Sequence, residues 1–126
     1  MPTNSVPRSS ATQHELQRVT LLAGLPGQTL ARLAKQMERE EVAPGTVIMR
    51  EGDQTDRFYV VFAGMLAVAN TIGPRRLLRP GDYFGEVAPA MDTARTATVT
   101  AMTPCVLASC DRATFDDFLR PLFADD

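Results

Sequence analysis

The chain has 126 residues and a mass of 13.7 kDa, enough for one domain around one core and too few for two ordinary ones. Hydrophobic residues at 44% and charged residues at 22% give the balance of a soluble globular protein. A net charge of −2 and a pI near 5.4 argue against direct nucleic-acid binding, which brings a clustered basic excess.

Residues 1–11 read as a flexible lead-in and residues 12–126 as one domain. Met1 to Ala11 is rich in Pro and Ser and lacks the apolar core of a signal peptide. Thr12 is a candidate N-cap, with Glu15 as its capping-box partner. A helix follows that carries Leu16, Val19 and Leu22, and Gly24 with Pro26 end it. A second helix is predicted from Pro26 to Met37, with Leu30, Leu33, Ala34 and Met37 forming an apolar stripe.

The period then changes to that of strands. Runs at Glu40–Val42, Thr46–Arg50, Phe58–Phe62, Met65–Asn70, Arg75–Leu78, Thr96–Met102 and Cys105–Cys110 are separated by Gly and Pro turns. Val47 and Met49 are expected on one face of their strand. Ala97, Val99 and Ala101 are expected opposite Thr98 and Thr100. Closely spaced short strands of this kind predict a sandwich or barrel. Phe84 to Met91 does not alternate and reads as one or two helical turns. A last helix begins after an Asp111 cap, and Phe115, Phe118, Leu119 and Leu122 form its stripe, which can pack on the barrel or on a second copy.

The chain is poor in metal ligands and nucleophile arrangements. It has one histidine, His14, and two cysteines. Cys105 and Cys110 stand at an odd spacing in one strand, so they face opposite ways and cannot form a disulfide with each other. No metal site is expected, and the Ser, Asp and His residues form no triad-like pattern. A metalloenzyme on a similar barrel is correspondingly disfavoured, and the chain is not expected to be an enzyme. Arg75, Arg76 and Arg79 read as a solvated strand or turn. No apolar run approaches the ~20 residues of a membrane span, so the expected compartment is the cytoplasm.

The informative stretch is Gly81 to Val99, GDYFGEVAPAMDTARTATV. Gly85 stands where a short helix would offer free backbone N–H groups and a partial positive charge, which suits a phosphate. Arg95, at the start of a strand, can clamp a phosphate with two parallel hydrogen bonds. The carboxylate of Glu86 can accept from a sugar hydroxyl. The chemistry alone leaves two readings open, a site for a mono-anionic sugar phosphate and a structural Glu86–Arg95 salt bridge.

The stretch closely resembles the phosphate-binding cassette of the cyclic nucleotide-binding domain family. The matching residues are Phe84, Gly85, Glu86, Val87, Ala88, Arg95, Thr96 and Ala97. The turns at Pro44-Gly45, Arg50-Glu51-Gly52-Asp53, Gly64 and Pro80-Gly81-Asp82, and the run Phe58-Tyr59-Val60, also fall where that family keeps them. The resemblance spans roughly Leu21 to Leu119.

It implies a mainly β fold with flanking helices: an eight-stranded antiparallel jelly-roll-like β-barrel with N-terminal helices, a short phosphate-binding helix and a C-terminal helix. It implies that Arg95 pairs with the exocyclic phosphate oxygens and that Glu86 takes the ribose 2′-hydroxyl. Gly85, Val87 and Ala88 would offer backbone contacts. Thr96 would lie beside phosphate and base, where a hydroxyl keeps cGMP open beside cAMP. The implied function is a regulatory module that binds cAMP or cGMP and passes the event to an effector protein or domain outside this chain. No other cofactor is implied.

Pro89 and Ala90 depart from the pattern, as does Ala94, which stands for a frequent Pro before the arginine. Relatives often carry a further helix that covers the base. Here that lid is expected to be truncated or absent, with Leu122 and Phe123 or a partner as substitutes. These departures motivate the alternative of a degenerate, nucleotide-independent interaction module.

Overall fold

Two antiparallel sheets hold the strands of the computed structural model, which describes residues 9–52, 57–70, 76–85 and 97–123. The five-stranded sheet runs, in spatial order, β1 (Ser9–Ser10), β2 (Glu38–Val42), β9 (Cys105–Cys110), β4 (Phe58–Ala63) and β7 (Tyr83–Phe84). The four-stranded sheet runs β3 (Val47–Met49), β8 (Thr98–Ala101), β5 (Leu66–Ala69) and β6 (Arg76–Leu78). The helical elements are α1 (Gln13–Gln17), a 3₁₀ turn (Thr20–Leu22), α2 (Gly27–Gln36), α3 (Arg112–Thr114), a π-helical segment (Phe115–Leu119) and α4 (Arg120–Phe123). No described helix is long and apolar enough to cross a membrane.

The alternation of side chains along β4 and β9 divides the interior in two. Val61, Cys105 and Leu107 point between the sheets, where they meet Met49, Leu66, Leu78, Phe84, Val99 and Ala101. Phe58, Val60, Ala108 and Cys110 point the other way, into a layer made by Leu16, Val19, Leu22, Leu30, Leu33, Phe115 and Leu119 from the helices. The five-stranded sheet is therefore buried on both faces, and β4 and β9 read as near-continuous apolar runs for that reason. Cys105 and Cys110 are free, buried and in different layers, as their spacing requires.

The strands β2–β9 supply the eight expected, and β1 adds a two-residue ninth against β2. Among the described residues each ladder stays within its own sheet, so the arrangement is two facing antiparallel sheets rather than a barrel closed by hydrogen bonds. Ser9, Ser10 and Ala11, expected within a flexible lead-in over residues 1–11, are part of the fold, and residues 1–8 lie outside the described residues. Ser9 and Ser10 pair with Arg39 and Glu38, and Ala11 is buried, with its N–H donating to the Met37 carbonyl at 3.2 Å.

Three local expectations change in the folded chain. The first helix stops at Gln17 because its stripe, Leu16, Val19 and Leu22, repeats at three. That period suits a tighter turn, and the chain supplies one at Thr20–Leu22. In β3, a register shift between Val47 and Met49 sets Val47 opposite Thr100 and Met49 opposite Val99. Those partners face opposite ways, so Val47 and Met49 do not share a face, and the irregularity turns Met49 inward. In the last helix, the Arg120 N–H bonds to the Phe115 carbonyl five residues back. This wide turn precedes Pro121, which has no N–H to give and crowds the carbonyl one turn earlier.

The capping box at the first helix is present. Glu15 N–H donates to the Thr12 hydroxyl at 3.1 Å, and Thr12 N–H donates to Glu15 Oε1 at 3.1 Å. The second oxygen of Glu15 takes Arg39 Nε at 3.0 Å, which ties α1 to the outer side of β2.

Candidate functional site

The stretch singled out by sequence leaves one sheet and returns to the other. Tyr83–Phe84 is the edge strand of the five-stranded sheet, and Thr98 begins β8 inside the four-stranded sheet. Of the predicted site residues, Gly85 and Ala97 are the two that bound this crossing. Glu86, Val87, Ala88, Arg95 and Thr96 lie outside the described residues, as do Pro89, Ala90 and Ala94. Of the helical turns expected over residues 84–91, Phe84 is instead in a strand, paired with Tyr59, and residues 86–91 lie outside the described residues.

The approach to Gly85 is built by a turn and a strand. Asp82 Oδ2 accepts Arg79 N–H at 2.8 Å, and Asp82 N–H returns to the Arg79 carbonyl at 2.9 Å. That turn hangs on β4, where Val61 N–H donates to the Asp82 carbonyl and Gly81 N–H to the Val61 carbonyl, each at 2.9 Å. The Phe84 ring then stacks on Tyr59, with centroids 4.8 Å apart and planes 5° from parallel. The chain reaches Gly85 with φ near +90°, a left-handed conformation that glycine adopts without penalty. A Cβ there would lie 2.6 Å from the Arg57 carbonyl oxygen and 3.4 Å from Phe58 Cα. Gly85 therefore rests directly on the backbone at the start of β4, and both its backbone angle and its neighbours require that no side chain be present.

On the far side of the crossing, the Thr98 hydroxyl accepts the Glu51 N–H at 2.9 Å. This bond docks the Arg50-Glu51-Gly52 turn beside the first residues of β8. Val99 and Ala101 are buried between the sheets, while Thr98 and Thr100 face away, as the alternation predicts.

Arg57, whose carbonyl lies beneath Gly85, carries a polar network with Ser109 and Glu38 that sequence patterning did not single out. Arg57 Nε and Nη2 donate to the Ser109 hydroxyl at 3.2 and 3.0 Å, and Nη2 reaches Glu38 Oε1 at 3.4 Å. Ser109 is buried, and a buried hydroxyl needs such a partner. The register that puts Glu38, Ser109 and Tyr59 in one row across the sheet is a property of the folded chain. A single arginine before an apolar strand carries no mark of it.

Two ionisations at the same end of β9 respond to this environment. Burial pushes the Cys110 thiol from 9.0 up to about 12, the neighbouring Asp111 carboxylate adds to the rise, and Arg57 opposes it. The carboxyl of Asp111 is held below its ordinary value of 3.8, first by the Thr114 backbone N–H at 2.9 Å and then by the Thr114 side chain. Asp111 is thus the N-cap of the C-terminal helical run, as its position in the sequence suggests.

The final helical run packs on its own chain. Phe115 and Leu119 are buried in the helical layer, Arg32 lies 5.5 Å from the Phe118 ring centroid, and Leu122 packs against the same layer. Leu122 therefore does not cover the space between the sheets. The ring of Phe58 connects this run to the site, at 5.2 Å from the Phe115 ring.

Comparison with known proteins agrees with this geometry. The family profile described as the cyclic nucleotide-binding domain matches residues 39–121. A cAMP-dependent protein kinase regulatory subunit of Yarrowia lipolytica is 37% identical over 109 residues, covering 85% of this chain and 29% of that protein. The regulatory domain of Toxoplasma gondii PKA, solved with cAMP, superposes with a TM-score of 0.80 at 28% identity, covering 87% of this chain and 44% of the other. The regulatory subunit of a cAMP-independent protein kinase A from Trypanosoma brucei superposes equally well, with a TM-score of 0.80 at 27% identity over 87% of this chain and 42% of the other. The chain thus spans less than a third of the curated relative and less than half of either solved chain.

Proposed function

The chain belongs to the cyclic nucleotide-binding domain family, and from that premise we propose that it is a regulatory module that binds cAMP, with cGMP as the second candidate ligand. The observation that carries this reading is the seat of Gly85. The motif that begins Phe84-Gly85-Glu86, with Arg95 ten residues after Gly85 in the sequence, leaves the sheet at a glycine pressed against the start of β4.

In this reading Arg95 pairs with the exocyclic oxygens of the cyclic phosphate, through the planar fork that suits a phosphate. Glu86 accepts the ribose 2′-hydroxyl. Gly85, Val87 and Ala88 present backbone groups, and Thr96 lies beside phosphate and base, where its hydroxyl admits guanine as well as adenine. The two facing sheets form the scaffold that presents the ligand site. The binding is reversible and no bond is made or broken, so the module is a receiver and not a catalyst.

The readout follows from contacts around Gly85. A ligand held by residues after Gly85 works against the backbone of Arg57 and Phe58. The Phe58 ring packs on Phe115 in the C-terminal helical run, so a small displacement at the site bears on that helix. A ligand shifts such an equilibrium only by its difference in affinity for the two states. The relative's name makes a protein kinase the partner class that would read the shift.

The test is calorimetric titration with cAMP and with cGMP, against Arg95→Ala. The expected result is saturable binding, weakened by at least about thirtyfold in the variant, since removing one partner of a desolvated charged pair costs ~2–5 kcal/mol. Equal binding by wild type and variant would remove Arg95 from the site.

A second reading is a nucleotide-independent module of the same fold. Pro89 and Ala90 in the cassette favour it, as does the close superposition on a regulatory subunit named as cAMP-independent. Absence of any heat or thermal shift at millimolar cAMP and cGMP would select it.

A further inference from the structure

We propose that Arg57 is a positioning residue for the nucleotide site, acting through the backbone on which Gly85 rests. The proposal rests on the nucleotide-binding reading of the cassette. Arg57 stands one residue before β4, whose ladder with β9 starts at Phe58 and Cys110. Its carbonyl oxygen is nevertheless the closest atom to the position a Gly85 Cβ would take, at 2.6 Å. The peptide that sets the height of Gly85 thus lies just beyond the end of the ladder.

The Arg57 side chain supplies an anchor there. It crosses β9, where Nε and Nη2 share the buried Ser109 hydroxyl at 3.2 and 3.0 Å, and ends at Glu38 in β2 at 3.4 Å. The Glu38 contact is half exposed at the carboxylate, and such a pair contributes little by itself. The bonds to Ser109 are the stronger part. They are charge-assisted, and they give the buried Ser109 hydroxyl its partner. One residue thereby links three strands and fixes the main chain beneath Gly85. The next residue, Phe58, is fixed by its ring contacts with Tyr83 at 5.8 Å and Phe115 at 5.2 Å. Arg57 and Phe58 together form the floor from which the cassette departs.

A clamp and a bare charge make different demands. A positive charge acting on the phosphate through space would be replaced by lysine. A clamp that needs two N–H groups from a planar fork on one hydroxyl would not, and it would be broken equally from the Ser109 side.

The experiment is cAMP titration of Arg57→Ala, Arg57→Lys and Ser109→Ala, with thermal unfolding of each and hydrogen exchange at the Phe84 and Gly85 amides. The expected result is a loss of affinity of about tenfold in all three, which is the scale of one hydrogen bond to a charged group. Exchange at Phe84 and Gly85 should be faster in all three, while each variant still unfolds in one cooperative transition, its melting temperature lowered by several degrees in Arg57→Ala, which leaves the buried Ser109 hydroxyl without that partner. Wild-type affinity in Ser109→Ala, or full affinity in Arg57→Lys, would overturn the clamp. Should the wild-type chain bind no cyclic nucleotide, the functional reading fails by itself, and the exchange measurement still decides the clamp: unchanged exchange at Phe84 and Gly85 in Arg57→Ala and Ser109→Ala overturns it, and faster exchange upholds it.

Discussion

Gly64→Ala is expected to destabilise the fold severely, through a corner where the two sheets exchange strands. Gly64 lies between β4 in one sheet and β5 in the other, with φ near +86°. A Cβ at this position would overlap the Pro104 carbonyl oxygen and lie 2.6 Å from Cys105 Sγ and 2.8 Å from Cys105 Cα. Two of those three atoms are backbone, so no rotamer change relieves the contact. The same corner is laced from both sides, by Met65 N–H on the Thr103 hydroxyl at 3.0 Å and Met102 N–H on the Met65 carbonyl at 2.9 Å. An L-residue in the left-handed region costs ~1–2 kcal/mol, and overpacking a tight site costs ~1–3 kcal/mol. The sum, about 2–5 kcal/mol, is a large share of the ~5–15 kcal/mol available to a domain. Gly45→Ala separates the two terms, because Gly45 has φ near +89° and no atom within 4 Å of its Cβ position. It should lose only the ~1–2 kcal/mol of the backbone angle. Urea unfolding of both variants gives the comparison. A loss in Gly64→Ala no greater than in Gly45→Ala would refute the steric argument.

The remaining expectations concern the cassette and the end of β9. Gly85→Ala should weaken cAMP binding more than it lowers the urea midpoint, because the displaced segment is the cassette itself; unchanged affinity would show that Gly85 does not set the site's position. Asp111→Ala should cost about 1 kcal/mol at neutral pH, as a lost N-cap does. Since the Asp111 carboxyl is held below 3.8 in the fold, its contribution is present above that pH and disappears as pH falls through the folded value. Asp111→Asn should keep the cap and flatten that acid loss in denaturation curves taken from pH 5 downward. Cys110 runs the other way. Its thiol is pushed up from 9.0 to about 12, so the folded state keeps a proton that the unfolded chain releases, and stability is intact below pH ~9 and declines towards pH 12. Cys110→Ala should reduce that alkaline slope, and an equal slope in both proteins would contradict the burial account.

Local patterns in the sequence carried the elements whose physics is local. The Thr12–Glu15 box and the Asp111 cap use groups three residues apart, and both are made as expected. Alternation in β8 and the odd spacing of Cys105 and Cys110 need only the two-residue period of a strand, and they place the side chains correctly. The family was likewise readable, because its motif gathers particular residue types in a short window.

Tertiary structure decided what depends on partners distant in the chain. Ser9–Ser10 becomes a strand because β2 offers its edge, and Tyr83–Phe84 because β4 does; neither pair has a periodicity of its own. Met49 faces inward because its ladder with β8 shifts register, which no feature of Thr46–Arg50 announces. The same holds for the floor of the site. Arg57, Ser109 and Glu38 meet only when β4, β9 and β2 lie side by side, and the reason Gly85 must be glycine is a carbonyl from Arg57. Residue type fixes which contacts are chemically available, but cross-strand register selects the ones that form, and register is set by the whole sheet and its two buried faces.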